Sequence, residues 1–261
     1  MPSDEKDVYG VTVLSDELFL IRENIPQVEV YDISKWTLQR RIDVDGLVKP
    51  GDMTSCCKLN CIYVVDWKEP WNMHRLELNG KKTQWPVNDF PHGISVTPSD
   101  HNVLVSCYFE RNLKQFTTHG ELIREIILQD LIHPKHAIQT CCQFIVYHVG
   151  LSDPLNRLCV VDSNGLLTRS YGWSPGSADG QRCSAGRLSL DDKGNAVVAD
   201  FNNDRVSLLS STLSYCREVV SKPASNKKFY PDRICLHEKT GRLYVTDAGN
   251  KNVLVYQLRN V

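Results

Sequence analysis

A six-bladed β-propeller is the fold that the sequence predicts, and a repeat near the end of the chain is the first of three observations that support it. Residues 194–209 align with residues 241–256 without a gap. Five positions are identical in the two copies: Gly194/Gly241, Val198/Val245, Asp200/Asp247, Asn203/Asn250 and Val206/Val253. The second observation is that, in both copies, alternating apolar residues flank a polar Asn/Asp turn, which is typical of antiparallel strands. The third observation is that six segments could open such a unit at intervals of about forty residues, the length of one blade.

Each unit is predicted to begin with two apolar strands. The first strands are predicted at residues 9–13, 50–54, 91–96, 134–138, 185–190 and 231–236. The second strands are predicted at residues 18–21, 62–66, 103–107, 144–147, 196–200 and 243–247. Inner strands of a propeller are covered on both faces, so continuous apolar runs agree with this position.

The later strands of each unit are more polar. Third strands are predicted at residues 28–31, 113–116, 158–161, 206–209 and 253–256. Fourth strands are predicted at residues 38–44, 122–128, 166–171 and 215–220, where interleaved charges suit an outer edge facing water. Because only five residues follow residue 256, we expect the last blade to lack its outer strand or to be closed by the N-terminus.

The length of the chain agrees with one domain. With 261 residues, of which 41% are hydrophobic, the chain can bury a substantial core, and all-β folds of this length commonly form a single unit. We therefore predict one propeller over residues 1–261. Its blades are expected at residues 9–47, 48–90, 91–132, 133–183, 184–229 and 230–261.

The repeated phrase is similar to a known blade motif. The pattern Gly-Xaa-apolar-Xaa-Val-(Ala/Thr)-Asp, followed by Asn and by Arg or Asn before Val, resembles the NHL repeat, including that of the TRIM-NHL proteins. The resemblance is strong in the last two units, fair in the fourth and weak in the first three, where the Asp survives only as Asp66. It implies a module that recognises proteins or RNA, often downstream of ubiquitin-ligase segments that this chain does not contain. We expect Asp200, Asp247 and Arg205 to support loop structure, since such an Asp can accept backbone N–H donors and pair with the Arg.

The overall charge argues against binding to DNA or to a membrane. With 30 basic and 31 acidic residues, the formal net charge is -1, so no global field would attract nucleic acid or anionic lipid. We expect neither DNA nor a membrane as a partner. The N-terminus has no apolar signal-peptide core, and we predict a cytoplasmic protein.

Ten cysteines do not predict disulfides or structural zinc. Four of them lie singly in apolar strands, where cysteine is usually a small buried residue: Cys107, Cys159, Cys216 and Cys235. Others cluster at turns between first and second strands: Cys56, Cys57, Cys61, Cys141 and Cys142. Their spacing matches neither a paired Cys-Xaa-Xaa-Cys knuckle nor a Cys/His finger, so reduced thiols are expected.

One rim of the predicted propeller is the candidate partner-binding site. The loops from second to third strands and from fourth to first strands share this rim, where ligands usually meet a propeller. The candidate residues there are His92, His136, Arg187, Arg233, Trp67, Trp71, Tyr108, Phe109, Arg111, Trp173, Phe201 and Tyr230. Exposed aromatic residues beside Arg can anchor a peptide or stack on bases. Two loops, at residues 150–156 and 173–180, could add variable recognition elements.

His92 and His136 suggest a second use of the channel. They are aligned at matching positions in neighbouring units and could approach each other, with Asp52 or Asp232 as a further ligand. A catalytic zinc normally needs three protein ligands, and no third His occupies an equivalent position. We therefore expect no metal and no cofactor.

The sequence thus predicts a non-catalytic recognition module whose partner is a protein or peptide, as in the substrate-recognition part of a TRIM-NHL-like ubiquitin ligase. RNA binding in post-transcriptional regulation is the alternative, and it would depend on Arg187 and Arg233. A metal-dependent channel enzyme, such as an amidating lyase, is a second alternative.

Overall fold

A computed structural model describes residues 6–129, 133–149, 157–171, 185–221, 228–248 and 251–258. Strands dominate these residues, and the two helices among them are single 3₁₀ turns at Phe201–Asn203 and Glu238–Thr240. Within the same residues, no helix has the length and apolar character needed to cross a membrane. The strands are β1 Val8–Leu14, β2 Glu17–Arg22, β3 Gln27–Asp32, β4 Thr37–Asp43, β5 Pro50–Cys56, β6 Cys61–Asp66, β7 Asn72–Glu77, β8 Lys82–Pro86, β9 Pro91–Val96, β10 Val103–Cys107, β11 Asn112–Phe116, β12 Leu122–Ile127, β13 His133–Gln139, β14 Phe144–Val149, β15 Arg157–Val161, β16 Leu167–Tyr171, β17 Ala185–Leu190, β18 Ala196–Asp200, β19 Arg205–Leu209, β20 Tyr215–Val220, β21 Pro231–His237, β22 Arg242–Asp247 and β23 Asn252–Gln257.

The strands form a six-bladed propeller, as predicted. Consecutive strands pair antiparallel in five four-stranded sheets, β1–β4, β5–β8, β9–β12, β13–β16 and β17–β20. The sixth sheet contains β21, β22 and β23 in the described part of the chain. Strand β1 pairs with β2 inside the first blade, so the described N-terminal strand does not complete the sixth blade. In the described residues, the last blade therefore has no outer strand, which agrees with the first of the two expected endings.

Burial falls from the middle of each sheet to its edge. Strands β6 and β10 are buried along their whole length, whereas β4 is almost entirely exposed. Apolar side chains of neighbouring blades meet in six separate clusters, one at each blade-to-blade contact. The core is thus divided among the six contacts, and every blade is buried on both faces.

Two strands of the second blade were missed by the sequence analysis. Strand β7 contains His74 and Arg75, which are 2% and 6% exposed, so polar residues occupy buried positions and interrupt the apolar run. Strand β8 is mostly exposed and polar, apart from buried Trp85. Neither segment has the alternating pattern that identifies a strand.

The cysteine prediction is partly wrong. The nine described cysteines form no disulfide with one another, and Cys107 and Cys159 are buried as expected. Cys216 is exposed because it lies on the outer strand β20. Cys56 and Cys61 are buried and face each other across β5 and β6, so they belong to the strands rather than to the turn.

Side chains close the ring between the sixth and first blades. Tyr244, fully buried on β22, packs with apolar residues of the first blade such as Leu18 and Leu20. Arg242 of the same strand donates from Nη1 to the Ile33 carbonyl, 3.3 Å away. No shared strand joins these two blades in the described residues, so the packing of Tyr244 is central to the closure.

Replacing Tyr244 with Ala should therefore lower the free energy of unfolding by about 3–5 kcal/mol, the usual cost of removing a buried aromatic side chain. Urea denaturation measures this value. The control is Val255→Ala on β23 of the same blade, where the side chain is 36% exposed and the loss should stay below about 1 kcal/mol. Equal losses in the two variants would show that the contact between the sixth and first blades does not depend on Tyr244.

Candidate functional site

An irregularity near the start of each inner strand builds the channel mouth. In each blade, one extra residue lies between the first pairing of the inner strand and the regular ladder, as between Pro50 and Asp52. These extra residues form the mouth ring: Tyr9, Gly51, His92, Lys135, Gly186 and Asp232. The residues that follow form the channel ring: Gly10, Asp52, Gly93, His136, Arg187 and Arg233. Bulges commonly redirect side chains in this way near functional sites.

The alignment of His92 with His136 is wrong by one residue. His92 belongs to the mouth ring and matches Lys135, whereas His136 belongs to the channel ring and matches Gly93. The His92 Nδ1–H donates to the Lys135 carbonyl at 3.1 Å, and the His136 Nε2–H donates to the Ile94 carbonyl at 3.2 Å. Both histidines therefore connect the third and fourth blades. Among the described residues, no group of three His, Cys, Asp or Glu side chains is placed to hold a metal ion.

A buried ion network crosses the channel below the mouth ring. The Arg187 Nε of the fifth blade lies 2.9 Å from Asp52 Oδ2 of the second blade, and its Nη2 donates to the His92 carbonyl of the third. The Arg233 Nε of the sixth blade donates to the Tyr9 carbonyl of the first at 2.6 Å and lies 3.8 Å from Asp52 Oδ1. These contacts connect five blades through one carboxylate and two guanidinium groups.

The network is almost completely buried. Asp52, Arg187 and Arg233 are 3%, 3% and 5% exposed. Burial, and then repulsion from Arg233, lower the pKa of Arg187. Arg187 and Arg233 thus lie in the channel rather than on the outer surface of the rim, where an RNA backbone would reach them.

Above the network lies a cavity of about 240 Å³, which we call the mouth cavity. It is lined by Tyr9, Trp67, His92, Lys135, Gly186, Arg187, Asp232 and Arg233. A second cavity, of about 270 Å³, continues down the channel and is also lined by Asp52, Arg187 and Arg233. The ion network therefore separates the two cavities.

Two glycines allow the walls of the mouth to approach closely. A Cβ on Gly51 would lie 2.0 Å from the Trp67 Nε1, and one on Gly186 would lie 2.1 Å from the Asp232 carbonyl oxygen. With Gly51 in place, the indole lies over the strand and donates from Nε1 to the Pro91 carbonyl at 3.0 Å. Trp67 is thus held between the second and third blades.

Carboxylates hold the rim loops, as expected for the repeated Asp. Asp66 accepts the backbone N–H groups of Val48, Lys49 and Lys68. Asp247 accepts the N–H of Tyr230, and Arg205 lies 3.0 Å from Asp200. In the third blade, Cys107 occupies the position of the repeated Asp, and Asp89 from the preceding loop accepts the N–H groups of Phe90 and Glu110 instead.

Eight aromatic rings on the rim of the first four blades form one connected group, which we call the aromatic surface. Its members are Tyr9, Trp67, Trp71, Phe90, His92, Tyr108, Phe109 and His133. Phe109 lies 5.5 Å from Phe90, 5.6 Å from Tyr108 and 6.3 Å from Trp71, measured between ring centroids. It is 61% exposed. The sequence analysis missed Phe90 and His133, because only the turn from fourth to first strands places them beside these rings.

Four further candidate residues do not belong to the aromatic surface: Arg111, Trp173, Phe201 and Tyr230. Phe201 and Tyr230 stack at 5.1 Å on the fifth and sixth blades. Arg111 directly precedes β11 with a φ of 57°, and Trp71 precedes β7 with a φ of 55°, so both occupy the same left-handed turn position. Trp173 and the two variable loops, at residues 150–156 and 173–180, lie outside the described residues.

Solved structures share this fold over nearly the whole chain. A protein of unknown function from Bacteroides thetaiotaomicron gives a TM-score of 0.77 at 13% identity, covering 97% of this chain and 70% of that chain. Hydrazine synthase from Kuenenia stuttgartiensis gives 0.69 at 13% identity, covering 98% and 97%. A catalytically inactive virginiamycin B lyase from Staphylococcus aureus, solved with quinupristin, gives 0.66 at 12% identity, covering 100% and 87%.

These likenesses define the class of protein as a six-bladed β-propeller. At such low identities they show the fold alone, and the function has to be argued from the site. No family model matches the chain, and no curated protein matches it either.

Removing the carboxylate from the ion network should destabilise the propeller. In Asp52→Ala, two buried guanidinium groups lose their shared partner, and we expect the free energy of unfolding to fall by about 3–5 kcal/mol. The control is Asp45→Ala, an exposed carboxylate, with an expected change within about 0.5 kcal/mol. Urea denaturation compares the two variants, and similar small losses in both would contradict the role of Asp52.

Stability should also fall in mild acid because of His136. Burial, and then the positive charge of Arg187, lower the pKa of His136 to about 4. The unfolded chain, in which a histidine has a pKa of about 6.5, binds more protons between these values, so stability decreases as the pH falls from about 6.5 to 4. For one such group the loss approaches about 3 kcal/mol.

The variant His136→Gln keeps an N–H donor for the Ile94 carbonyl but cannot titrate, so its stability should change less over this pH range. Urea denaturation at intervals of pH measures the slope. The control is His101→Asn, which retains a residue tolerant of the left-handed backbone at φ 58°. An unchanged slope in His136→Gln would show that another group causes the acid sensitivity.

Proposed function

We propose that this propeller is a recognition module that binds a partner protein through the aromatic surface. The exposure of Phe109, in the midst of seven other connected rings, is the observation that carries the proposal. A large aromatic side chain that projects from a fixed group of rings has little conformational entropy to lose on binding. Such residues contribute most of the binding energy at protein interfaces.

The scaffold beneath the surface supports this use. Asp66 and Asp89 hold the loops that present Trp67, Phe90 and Phe109, so these rings have fixed positions before a partner arrives. Preorganisation reduces the cost of ordering an interface. The binding surface is therefore ready without a change in the fold.

The charges around the rings favour a protein over RNA. Lys68 and Arg111 are balanced by Glu69 and Glu110, so the surface carries no excess positive charge. Lys114 is buried and lies 2.9 Å from Glu110 and 3.7 Å from Glu125, and Glu125 balances its charge. RNA binding depends on several phosphate contacts from basic side chains, which this arrangement does not supply.

The resemblance to the NHL repeat refines the proposal. In a TRIM-NHL-like ubiquitin ligase, the aromatic surface of this chain would select the protein to be modified, while other segments carried out the ligase chemistry. The cytoplasm is the compartment proposed for such a protein, in keeping with the nine described cysteines, which form no disulfide with one another.

Selection of a random peptide library displayed on phage tests the proposal directly. The wild-type protein should enrich peptides that contain apolar or aromatic residues, and synthetic copies of these peptides should bind in solution. Phe109→Ala should weaken their binding at least tenfold, corresponding to about 1.4 kcal/mol or more. Isothermal titration calorimetry measures the dissociation constants.

Leu166→Ala is the matched control, since Leu166 is 48% exposed in the turn before β16 at the opposite end of the propeller. Its peptide affinity should equal that of the wild type. Failure to enrich any peptide, or equal losses in both variants, would overturn the proposal.

Titration with a labelled RNA pool at low and near-physiological salt tests the RNA alternative. Binding that falls steeply with salt and is lost in Phe109→Ala would establish the RNA alternative instead.

A further inference from the structure

The mouth cavity is a site of different chemistry from the aromatic surface. Its floor consists of Arg187 and Arg233, and its wall includes the rings of Tyr9 and Trp67, whose centroids are 5.5 Å apart. Burial and Glu23 raise the pKa of Tyr9, so its phenol remains neutral. The cavity thus combines a cationic floor with an apolar aromatic wall.

Lys135 supplies a positive charge that the protein does not neutralise. Arg187 pairs with Asp52 at 2.9 Å, and Arg233 pairs with Asp232 at 2.8 Å. The Lys135 ammonium has no hydrogen-bond or ion-pair partner among the described residues, although the side chain lines the cavity beside both pairs. Burial, and then repulsion from Arg187, lower the pKa of Lys135, and the attraction of Asp232 offsets only part of this effect.

The arginines also retain donors. Each guanidinium has five N–H groups. Arg187 uses three of them, for Asp52, the Gly186 carbonyl and the His92 carbonyl. Arg233 likewise uses three, for the Tyr9 carbonyl, Asp232 and the Gly51 carbonyl. An anion in the cavity would therefore meet one uncommitted ammonium and two guanidinium groups that can still donate.

We propose that the mouth cavity binds a single carboxylate group carried on an apolar or aromatic skeleton. The charges in and beneath the cavity are Lys135, Arg187 and Arg233 against Asp52 and Asp232, which leaves one positive charge for the ligand to neutralise. A phosphate monoester carries about two negative charges near neutral pH and would be repelled by the two aspartates. The aromatic wall accommodates the skeleton to which the carboxylate is attached.

Such a carboxylate can come from a free small molecule or from the C-terminus of a peptide, and both would be recognised by the same groups. The site goes beyond the proposed protein-binding function, because a small carboxylate can fill it without touching Phe109. Its test is therefore independent of any macromolecular partner.

Isothermal titration calorimetry with benzoate provides the test, with benzamide as the neutral molecule of the same shape and inorganic phosphate as the dianionic comparison. Wild-type protein should bind benzoate at least tenfold more tightly than benzamide and more tightly than phosphate, at constant ionic strength. Lys135→Met should reduce benzoate affinity at least tenfold, the usual effect of losing a charge-assisted hydrogen bond. Lys135→Arg, which restores the charge, should recover most of the affinity.

Lys58→Met is the matched control, since Lys58 is exposed in the turn between β5 and β6 at the other end of the blade. It should bind benzoate as the wild type does. Equal affinities for benzoate and benzamide, an unchanged affinity in Lys135→Met, or a loss in Lys135→Met that Lys135→Arg does not recover would overturn the proposal.

Two capped dipeptides that end in Phe, one with a free C-terminal carboxylate and one amidated, distinguish the sources of the carboxylate. Preference for the free carboxylate that depends on Lys135 would support the site and identify a peptide terminus as a ligand. Benzoate binding without such a preference would support the site as one for small molecules. If the phage selection fails while benzoate binds, the proposed protein-binding function is overturned and the proposed carboxylate site is supported.

Discussion

The ion network of Asp52, Arg187 and Arg233 is the constraint on which the arrangement of this propeller depends. It lies at the axis, where all blades converge, and its hydrogen bonds connect five of them. A buried charge without a partner costs several kcal/mol, so the blades have to adopt the one arrangement that satisfies all three groups. This matters most at the contact between the sixth and first blades, because only side-chain contacts close the described ring there.

The same network defines the chemistry of the channel mouth. By occupying the axis, it divides the channel into two cavities and gives the upper one a cationic floor. Gly51 of the mouth ring allows Trp67 to lie against the strand, so that the floor is bounded by an aromatic wall. The residues that stabilise the axis thus also line the cavity proposed to bind a ligand, while the exposed ring of Phe109 stands on loops that the core holds in place. Loops on a rigid scaffold are the usual place for binding residues.

The sequence analysis succeeded for features that are repeated and local. Apolar alternation located most strands, including the three strands described for the last blade. It failed for β7, because His74 and Arg75 are polar residues at buried positions. It aligned His92 with His136 because it did not detect the extra residue in each inner strand. That residue is defined by how the strands pair, and a pattern of apolar residues carries no information about strand pairing.

By itself, the sequence determined the class of fold and the number of blades. These follow from strand patterns with a period of two residues and from turn chemistry, both of which operate over short distances along the chain. Only the tertiary structure decided that Arg187 lies in the channel against Asp52, and that eight rings from four blades form one surface. Those contacts join residues far apart in sequence, 135 positions in the case of Arg187 and Asp52, and ring closure alone brings them together.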